Sequence, residues 1–596
     1  MNDEQTLKRI PYGKSDFNEF IQRNLYYVDK TKYIRTIEEK GDFLFLIRPR
    51  RFGKSLFLSL LESYYDIIHK DRFDSLFKGT DIHRNPTPDR NRYMILTLDF
   101  SIVDSNIDQV HNAFVTRVRN AAIAFITKYQ NYLDIDVEKV EKLLNATQSA
   151  SEVMDTLLTY CSNKEFKIYT IIDEYDNFAN VILSDHGQEK FQAITHGGGF
   201  LRSFFNALKA GTSRTDAPIS RIFMTGVSPI TMDDVTSGFN IASNISLDAD
   251  INEILGFTHH DVETMIEYYR QTGKIRHLTP ELMEIMSKWY NHYRFSMDAE
   301  TEVFNTVHTL YFLREYLKYS KIPRILVDEN ALTDYGKLHH LIVIDKKEAP
   351  KINGNFSTFQ QILEVGIVHS KITRSFPVKD LIEPDNFISL LYYFGLLTIC
   401  GIDEENKAIL RIPNESVKRL YYDFIKKAYE ETGIFTFKLK EYETHMKEMA
   451  FDGNWKPLIE YLAEELDRST GIRDLIAGEK SIQAFLNVYL GLSDLYLVHS
   501  EKEMKKGYAD LLLEPFLAQY PSLNYAYLIE IKYIKPSSVK KSKTLQKQIQ
   551  NLQEEAQTQL MQYSMDEKFL KAIGKTALKK LVLIFAGSRM VDHHEL

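Results

Sequence analysis

A strand-to-helix switch near the start of this chain constrains its fold more than anything else in it. The apolar run Phe43-Leu44-Phe45-Leu46 passes through Ile47-Arg48-Pro49-Arg50-Arg51-Phe52-Gly53-Lys54-Ser55 into the helical pattern Leu56-Phe57-Leu58-Ser59-Leu60-Leu61. A strand, a tight turn ending in Gly-Lys-Ser and a helix are the parts of a phosphate cradle. Backbone N–H groups and the helix N-terminus face the anion, Lys54 reaches the β- and γ-phosphates, and the Ser55 hydroxyl ligates Mg²⁺. The full motif asks for glycine five residues before Gly53, where this chain has Arg48. Taken alone, Gly-Lys-Ser reads more simply as a basic loop with Ser55 capping a helix.

A second segment changes that balance. Phe166-Lys167-Ile168-Tyr169-Thr170-Ile171-Ile172 is an apolar strand that runs into Asp173-Glu174-Tyr175-Asp176. In P-loop NTPases the acid ending such a strand holds Mg²⁺ and the glutamate after it polarises the attacking water, roles that fit Asp173 and Glu174. The two segments are complementary halves of one Mg-nucleotide site. Further strands at Tyr93 to Phe100 and Ser220 to Ser228 alternate with helices and predict a parallel sheet, with the ligand at its carboxyl ends. Thr225 and Ser228 are candidates for sensing a γ-phosphate, and equally for capping the turn after a buried strand. Upstream, a helix near Ser15 to Arg23 precedes Tyr26 to Thr31, where Asp29 or Thr31 could cap the next helix; this segment reads as packing or as a flap over a bound base.

At 596 residues the chain is too long for one core. Past residue 250 it turns helical, and the cluster Trp289-Tyr290-Asn291-His292-Tyr293-Arg294-Phe295 reads as core. Residues 385 to 430 suggest a helix, a two-stranded wing and a second helix, as in a winged-helix module. The expected division is 1–250 for the nucleotide domain, 251–384 for a helical lid, 385–440 for the winged-helix-like module and 441–596 for a last domain. A net charge of −8 argues against non-specific coating of nucleic acid and leaves room for a local basic face. Cys161 and Cys400, both in apolar segments, predict buried thiols in a reducing compartment with no disulfide. With neither a leader pattern nor a long apolar run, the expectation is a soluble cytoplasmic protein without membrane contact.

The last domain holds a second set of chemical residues. Gly507-Tyr508-Ala509-Asp510-Leu511-Leu512-Leu513-Glu514 and Tyr525-Ala526-Tyr527-Leu528-Ile529-Glu530-Ile531-Lys532-Tyr533 read as two strands. Period two puts Glu530 and Lys532 on one face and Ile531 on the other. With Asp510 opposite, two carboxylates can hold a divalent ion while Lys532 positions water or stabilises phosphate charge, an arrangement suited to metal-assisted phosphodiester hydrolysis. An exposed strand with alternating charge is the plainer reading of Glu-x-Lys by itself. Lys535, Lys540, Lys541, Lys543 and Lys547 could face a phosphate backbone or simply solvent. Gln559 and Tyr563 share a helix face, as substrate contacts or as core lining.

Taken together, Arg48-Pro49-Arg50-Arg51-Phe52-Gly53-Lys54-Ser55, Tyr27-Val28-Asp29-Lys30-Thr31, the Asp173-Glu174-Tyr175-Asp176 strand end and Asp510 with Glu530-x-Lys532 resemble one family. It comprises bacterial proteins that join an AAA-ATPase-like domain to a C-terminal PD-(D/E)XK nuclease-like domain. The Arg-initiated loop is usual there, so Arg48 stops counting against the site. The resemblance implies an α/β multidomain chain: a P-loop NTPase parallel sheet with a helical lid and a winged-helix-like module, then a restriction-endonuclease-like α/β domain. It implies ATP and Mg²⁺ as cofactors. Arg48, Arg51, Phe52, Gly53, Lys54, Ser55 and Asp173 would contact the nucleotide or its metal, with Glu174 catalytic. Asp510, Glu530 and Lys532 would form the nuclease centre, the two acids holding metal.

Nuclease folds of this kind often take another acid from the preceding helix. Glu479, Glu501 and Glu503 are the options, with Gln483 at the equivalent helix position. No arginine finger stands out. The expected function is an ATP-binding and hydrolysing protein whose nucleotide state controls the nuclease-like domain on DNA or RNA, and a homo-oligomer is compatible with it. The alternative is a nucleotide-dependent switch or scaffold whose nuclease-like domain binds without cutting.

Overall fold

A computed structural model describes residues 7–101, 103, 106, 108–213, 216–230, 241–328, 354–431, 438–468, 478–504, 507–535 and 542–596. The chain divides into two compact units: residues 1–321, 326–341 and 369–414 form the first, and 322–325, 342–368 and 415–596 the second. The segments expected as a lid and as the first half of a winged-helix-like module therefore fall largely within the first unit.

The first unit is organised by five parallel strands, β1 (Phe43–Ile47), β2 (Tyr93–Asp99), β3 (Lys167–Asp173), β4 (Ile219–Gly226) and the two-residue β5 (Ser243–Asn244). Their order is β2-β3-β4-β1-β5. The strands read as continuous apolar runs because both faces are covered, as parallel sheets require; Leu44 to Ile47 are at most 4% exposed. Helix α1 (Lys54–Tyr65) lies against β2 and β3, and the helix Val110–Lys128 packs on β2. One consequence matters for chemistry. β4 is inserted between the Gly-Lys-Ser strand and the acidic strand, so the ends of β1 and β3 stand two strand spacings apart, ~10 Å.

The N-terminal helix is Phe17–Gln22, capped by Asp16. Asp29 and Thr31 do not cap the helix that follows them, Tyr33–Lys40, whose N-cap is Lys32 without a side-chain bond. Instead Asp29 Oδ2 accepts the Asp81 N–H at 2.7 Å and Thr31 Oγ1 accepts the Ile82 N–H at 3.1 Å. They cap a short helix fifty residues on, and so tie the N-terminal segment to the body of the domain. After β4 come the antiparallel pair β6 (Phe257–Thr258) and β7 (Val303–Phe304), then α-helix Thr306–Tyr319. Tyr290, Tyr293 and Phe295 are buried, as expected of core. β8 (Ile367–Ser370) precedes the helix Pro384–Tyr393 and the antiparallel hairpin β9 (Thr398–Ile402) and β10 (Ala408–Arg411), the segments expected as a helix and a two-stranded wing.

The second unit carries a mixed sheet, β11 (Tyr496–Met504), β12 (Gly507–Pro515), β13 (Tyr525–Ile534), β14 (Ala577–Ala586) and β15 (Arg589–Glu595), in sequential order. Only β13 and β14 run parallel. Helix α2 (Glu479–Gly491) packs on β11 to β13. Helix α3 (Ser542–Tyr563) crosses β12 to β14 and sets Ala556, Leu560 and Tyr563 against Ala526, Leu528 and Ile584. Tyr563 is thus core, and Gln559 sits beside it with a buried oxygen.

Cys161 and Cys400 are free thiols; Cys161 is buried and its pKa is pushed up to about 12 by that burial. Among the described residues no helix is long and apolar enough to cross a membrane.

Candidate functional site

The loop between β1 and α1 is held in a shape its own residues do not favour. Arg51 sits at φ 73° and Gly53 at φ 95°, the left-handed region. Gly53 tolerates this because it lacks a Cβ, whereas Arg51 stores strain that its neighbours must hold. They do so from far along the chain: the Val307 N–H donates to the Arg51 carbonyl, and the Gly256 N–H and the Thr306 hydroxyl donate to the Phe52 carbonyl, all at 3.0–3.2 Å. The Phe52 ring is buried edge-on against Tyr293 and Phe295, at 4.9 and 5.3 Å between centroids. Phe52 therefore anchors the loop from behind.

Arg48 does the same. It is 1% exposed, donates to the carbonyls of Ile47 (3.0 Å), Ser246 (2.6 Å) and Ile251 (3.2 Å), and lays its guanidinium over Phe295 at 4.4 Å. Burial pulls its pKa down to about 10. Expected among the nucleotide contacts, Arg48 is not among the residues lining the adjacent cavity. Its Nη1 and Nη2 are committed to three carbonyls behind the loop, where it acts as a strut.

Lys54 and Ser55 begin α1 and face the acids of β3. The Lys54 ammonium donates to the carbonyls of Arg48 and Pro49, each at 3.0 Å, and burial lowers its pKa against the opposing pull of Glu174, Asp173 and Asp176. The Ser55 hydroxyl donates to Asp173 Oδ2 at 2.5 Å, and Thr225 Oγ1 donates to Asp173 Oδ1 at 2.7 Å. The structure thus brings Lys54, Ser55, Asp173 and Thr225 together. Ser228 is different: fully buried, its Oγ accepts the Ile230 N–H and caps the turn.

Glu174, at φ 49°, has its pKa raised by burial, with Lys54 and Arg50 pulling the other way. Tyr175 and Asp176 latch β3 to β4. The Tyr175 hydroxyl donates to the Ser228 carbonyl at 2.8 Å, and Asp176 Oδ2 accepts the N–H groups of Val227 (3.0 Å) and Ser228 (2.5 Å). A Cβ on Gly226 would come within 2.3 Å of the Tyr175 ring, so glycine there permits the close approach.

A cavity of about 460 Å³ opens over this loop. Arg51 to Ser55 and Glu174 line one side, Tyr26, Tyr27 and Lys30 of the N-terminal segment another, and Leu255, Gly256 and Val307 a third. Two lining residues were missed by sequence reasoning. Arg50 donates from Nη2 to the Asn177 side-chain oxygen at 2.8 Å, and Asn177 Nδ2 donates to the Ser101 carbonyl at 3.0 Å. The run of arginines was visible; that Arg50 joins Arg51 at the cavity was not.

In the second unit Glu530 and Lys532 are 2% and 7% exposed, which removes the exposed-strand reading. The Lys532 ammonium donates to Glu530 Oε1 at 3.0 Å and lies 3.5 Å from Glu555 of α3. The pairing of Leu511 with Ile529 continues to set Asp510 opposite Glu530, and Asp510 Oδ2 accepts the Ile531 N–H at 2.8 Å. Burial, then Asp510, pushes the Glu530 pKa up to about 8, and Glu530 Oε2 is buried without a partner. Burial also raises Asp510.

Helix α2 contributes two groups. Gln483 Nε2 donates to the Asp510 carbonyl at 2.7 Å, and Glu479, one turn earlier, has its pKa raised by burial and by Asp510. The side chains of Glu501, Glu503 and Lys543, and residues Lys540 and Lys541 entirely, lie outside what the structure describes. Lys535 and Lys547 are exposed. An unpartnered buried carboxylate oxygen beside a second carboxylate fits a divalent ion better than it fits a packed core. Among the described residues, however, no group of three His, Cys, Asp or Glu is already arranged to hold one.

Residues 11–236 match the family model described as predicted AAA-ATPase, and residues 477–595 that of the PD-(D/E)XK nuclease superfamily. An uncharacterized protein from the vnfD 5′ region of Azotobacter chroococcum mcd 1 is 26% identical over 426 residues, 69% of this chain and 68% of that one. Two solved structures overlap distantly, each at 11% identity. The Aeropyrum pernix ORC1 protein in complex with DNA covers 70% of this chain and 95% of its own at a TM-score of 0.27. Cdc6p from Pyrobaculum aerophilum covers 72% and 97% at 0.24. Likenesses this distant carry no functional argument. By the two family models, the chain carries a predicted AAA-ATPase domain followed at its C-terminus by a PD-(D/E)XK nuclease superfamily domain.

Proposed function

We propose that the first unit binds and hydrolyses ATP and that its nucleotide state controls the C-terminal domain, which cleaves a nucleic-acid phosphodiester. The observation that carries the reading is the convergence of Lys54, Ser55 and Asp173, with Glu174 at the edge of the same cavity. Divalent ions held by Ser55 and Asp173 at one site, and by Asp510 and Glu530 at the other, would supply charge neutralisation and Lewis acidity. The chain's own residues do the rest. On nucleotide entry Lys54 exchanges the Arg48 and Pro49 carbonyls for phosphate oxygens. Thr225 orients Asp173, and Glu174, whose proton affinity is raised by burial, accepts the proton of the attacking water. In the second unit Asp510 and Glu530 orient the attacking water, and Lys532 stabilises charge building on the phosphate.

The test compares wild type with Lys54→Ala and Lys532→Ala in ATP turnover and in Mg²⁺- or Mn²⁺-dependent cleavage of DNA and RNA, with and without ATP. Lys54→Ala should abolish turnover and ATP control, and Lys532→Ala cleavage alone. Unchanged ATP affinity and turnover in Lys54→Ala would sink the nucleotide half.

A second reading, a domain that binds nucleic acid or protein without cutting, is favoured by one observation: Gln483, at the helix position where such folds often place an acid, donates to the Asp510 carbonyl at 2.7 Å. No cleavage of any substrate, with a melting temperature indifferent to added metal, would select it.

A further inference from the structure

We propose that Arg50 is the cation that contacts the γ-phosphate in the transition state, supplied in cis by the phosphate loop itself. The inference rests on the reading that the cavity binds ATP. Three features of the site converge on it.

The loop carries three arginines and they are not equivalent. Arg48 is committed behind the loop to three carbonyls. Arg51 lines the cavity, with its carbonyl held by the Val307 N–H, while Arg50 is tied to Asn177, just beyond Glu174. Arg50 lines the cavity with Lys54, Ser55 and Glu174. Its guanidinium is oriented by the Asn177 side chain at 2.8 Å, which is itself anchored on the Ser101 carbonyl.

Asn177 lies three residues beyond Glu174, so this bond holds Arg50 on the acid side of the cavity. The electrostatics agree, since Arg50 acts on both Glu174 and Lys54. With the terminal phosphate over the N-terminus of α1, the attacking water belongs between that phosphate and Glu174, and Arg50 flanks this space.

Hydrolysis then balances as follows. The water oxygen forms a bond to Pγ while the bond from Pγ to the β,γ-bridging oxygen breaks, its electron pair leaving on ADP. The water proton passes to Glu174. Charge spreads over the equatorial phosphoryl oxygens, where a planar guanidinium is worth most.

The experiment uses the full chain. Arg50→Ala should lower kcat by ~10³-fold, within the range an arginine finger supplies, while ATP affinity stays within about threefold. Affinity for the transition-state mimic Mg·ADP·aluminium fluoride should fall with kcat. Arg50→Lys should recover little, because an ammonium lacks the fork. Arg50→Gln, which keeps a donor for Asn177, reads the charge alone if Arg50→Ala does not fold.

Wild-type kcat in these variants overturns the proposal, as does an equal loss of affinity for ATP and for the mimic. A wild-type kcat that rises with protein concentration would place the cation on a second copy and overturn the cis assignment. Wild type that turns over ATP while Arg50→Ala does so equally refutes Arg50 alone. Wild type that neither binds nor hydrolyses ATP removes the nucleotide reading and this inference together.

Discussion

Replacing Glu530 by glutamine probes the C-terminal site where its electrostatics are most extreme. Burial and the Asp510 carboxylate raise the Glu530 pKa from 4.5 to about 8. Below about pH 4.5 the carboxyl is neutral in both folded and unfolded chains. Between there and about pH 8 the folded state keeps a proton that the unfolded chain has released, so stability falls as pH rises. Above about 8 the folded state carries the full cost of a buried anion, which at ~1.4 kcal/mol per tenfold in proton affinity reaches ~5 kcal/mol. Glu530→Gln removes that cost, so the second unit should melt higher than wild type at pH 9 and little differently at pH 4.5.

The same linkage governs metal. A ligand must be deprotonated to bind, so Mn²⁺ binding near pH 6.5 should release a proton from Glu530, and none from it above about pH 9. The carboxyls of Asp510 and Glu479 are also pushed up by burial. The diagnostic is therefore the difference between wild type and Glu530→Gln, read by calorimetry in two buffers of different ionisation enthalpy. Equal proton release in the two proteins, or no gain in melting temperature at pH 9, would refute the electrostatic reasoning.

Substitutions at three other positions test the nucleotide site. Arg48→Ala strips three carbonyls of a buried donor and should cost about 3 kcal/mol of stability in a denaturant titration. Arg48→Lys should not restore it, because an ammonium cannot span the same three acceptors. Gly226→Ala drives a methyl to 2.3 Å from the Tyr175 ring and breaks the latch between β3 and β4. We expect a loss of about 2 kcal/mol, a typical cost of overpacking, with weakened ATP binding in the same samples. Thr225→Val keeps the shape but leaves Asp173 Oδ1 without its donor. At about 1 kcal/mol for one hydrogen bond, Mg-ATP affinity should drop about fivefold with melting nearly unchanged.

Local chemistry settled what local chemistry can. The apolar run before Gly-Lys-Ser, the apolar run before Asp173-Glu174, and the period-two placement of Glu530 and Lys532 were all legible, because strand and helix periodicity are written in neighbouring residues. So was the burial of Tyr290, Tyr293 and Phe295, although not that this cluster backs the phosphate loop. Where the sequence reading went astray, the deciding partner lay far along the chain. Asp29 and Thr31 cap the helix at Asp81 in place of the one beside them. Of the two alternatives left open for Thr225 and Ser228, the turn cap fell to Ser228, while Thr225 reaches across to Asp173.

By itself, then, the sequence determined which segments become strands, loops and helices, and which residue types could serve phosphate or metal chemistry. Only the tertiary structure decided their partners. Arg48 became a strut because Ser246, Ile251 and Phe295 enclose it from some two hundred residues away. Arg50 came to face the cavity because Asn177 follows a different strand. Glu479 proved to be an acid that feels Asp510. The physical reason is common to all three: a side chain's role depends on the charge and solvent around it, and that surrounding is assembled only when distant strands take their places in a sheet.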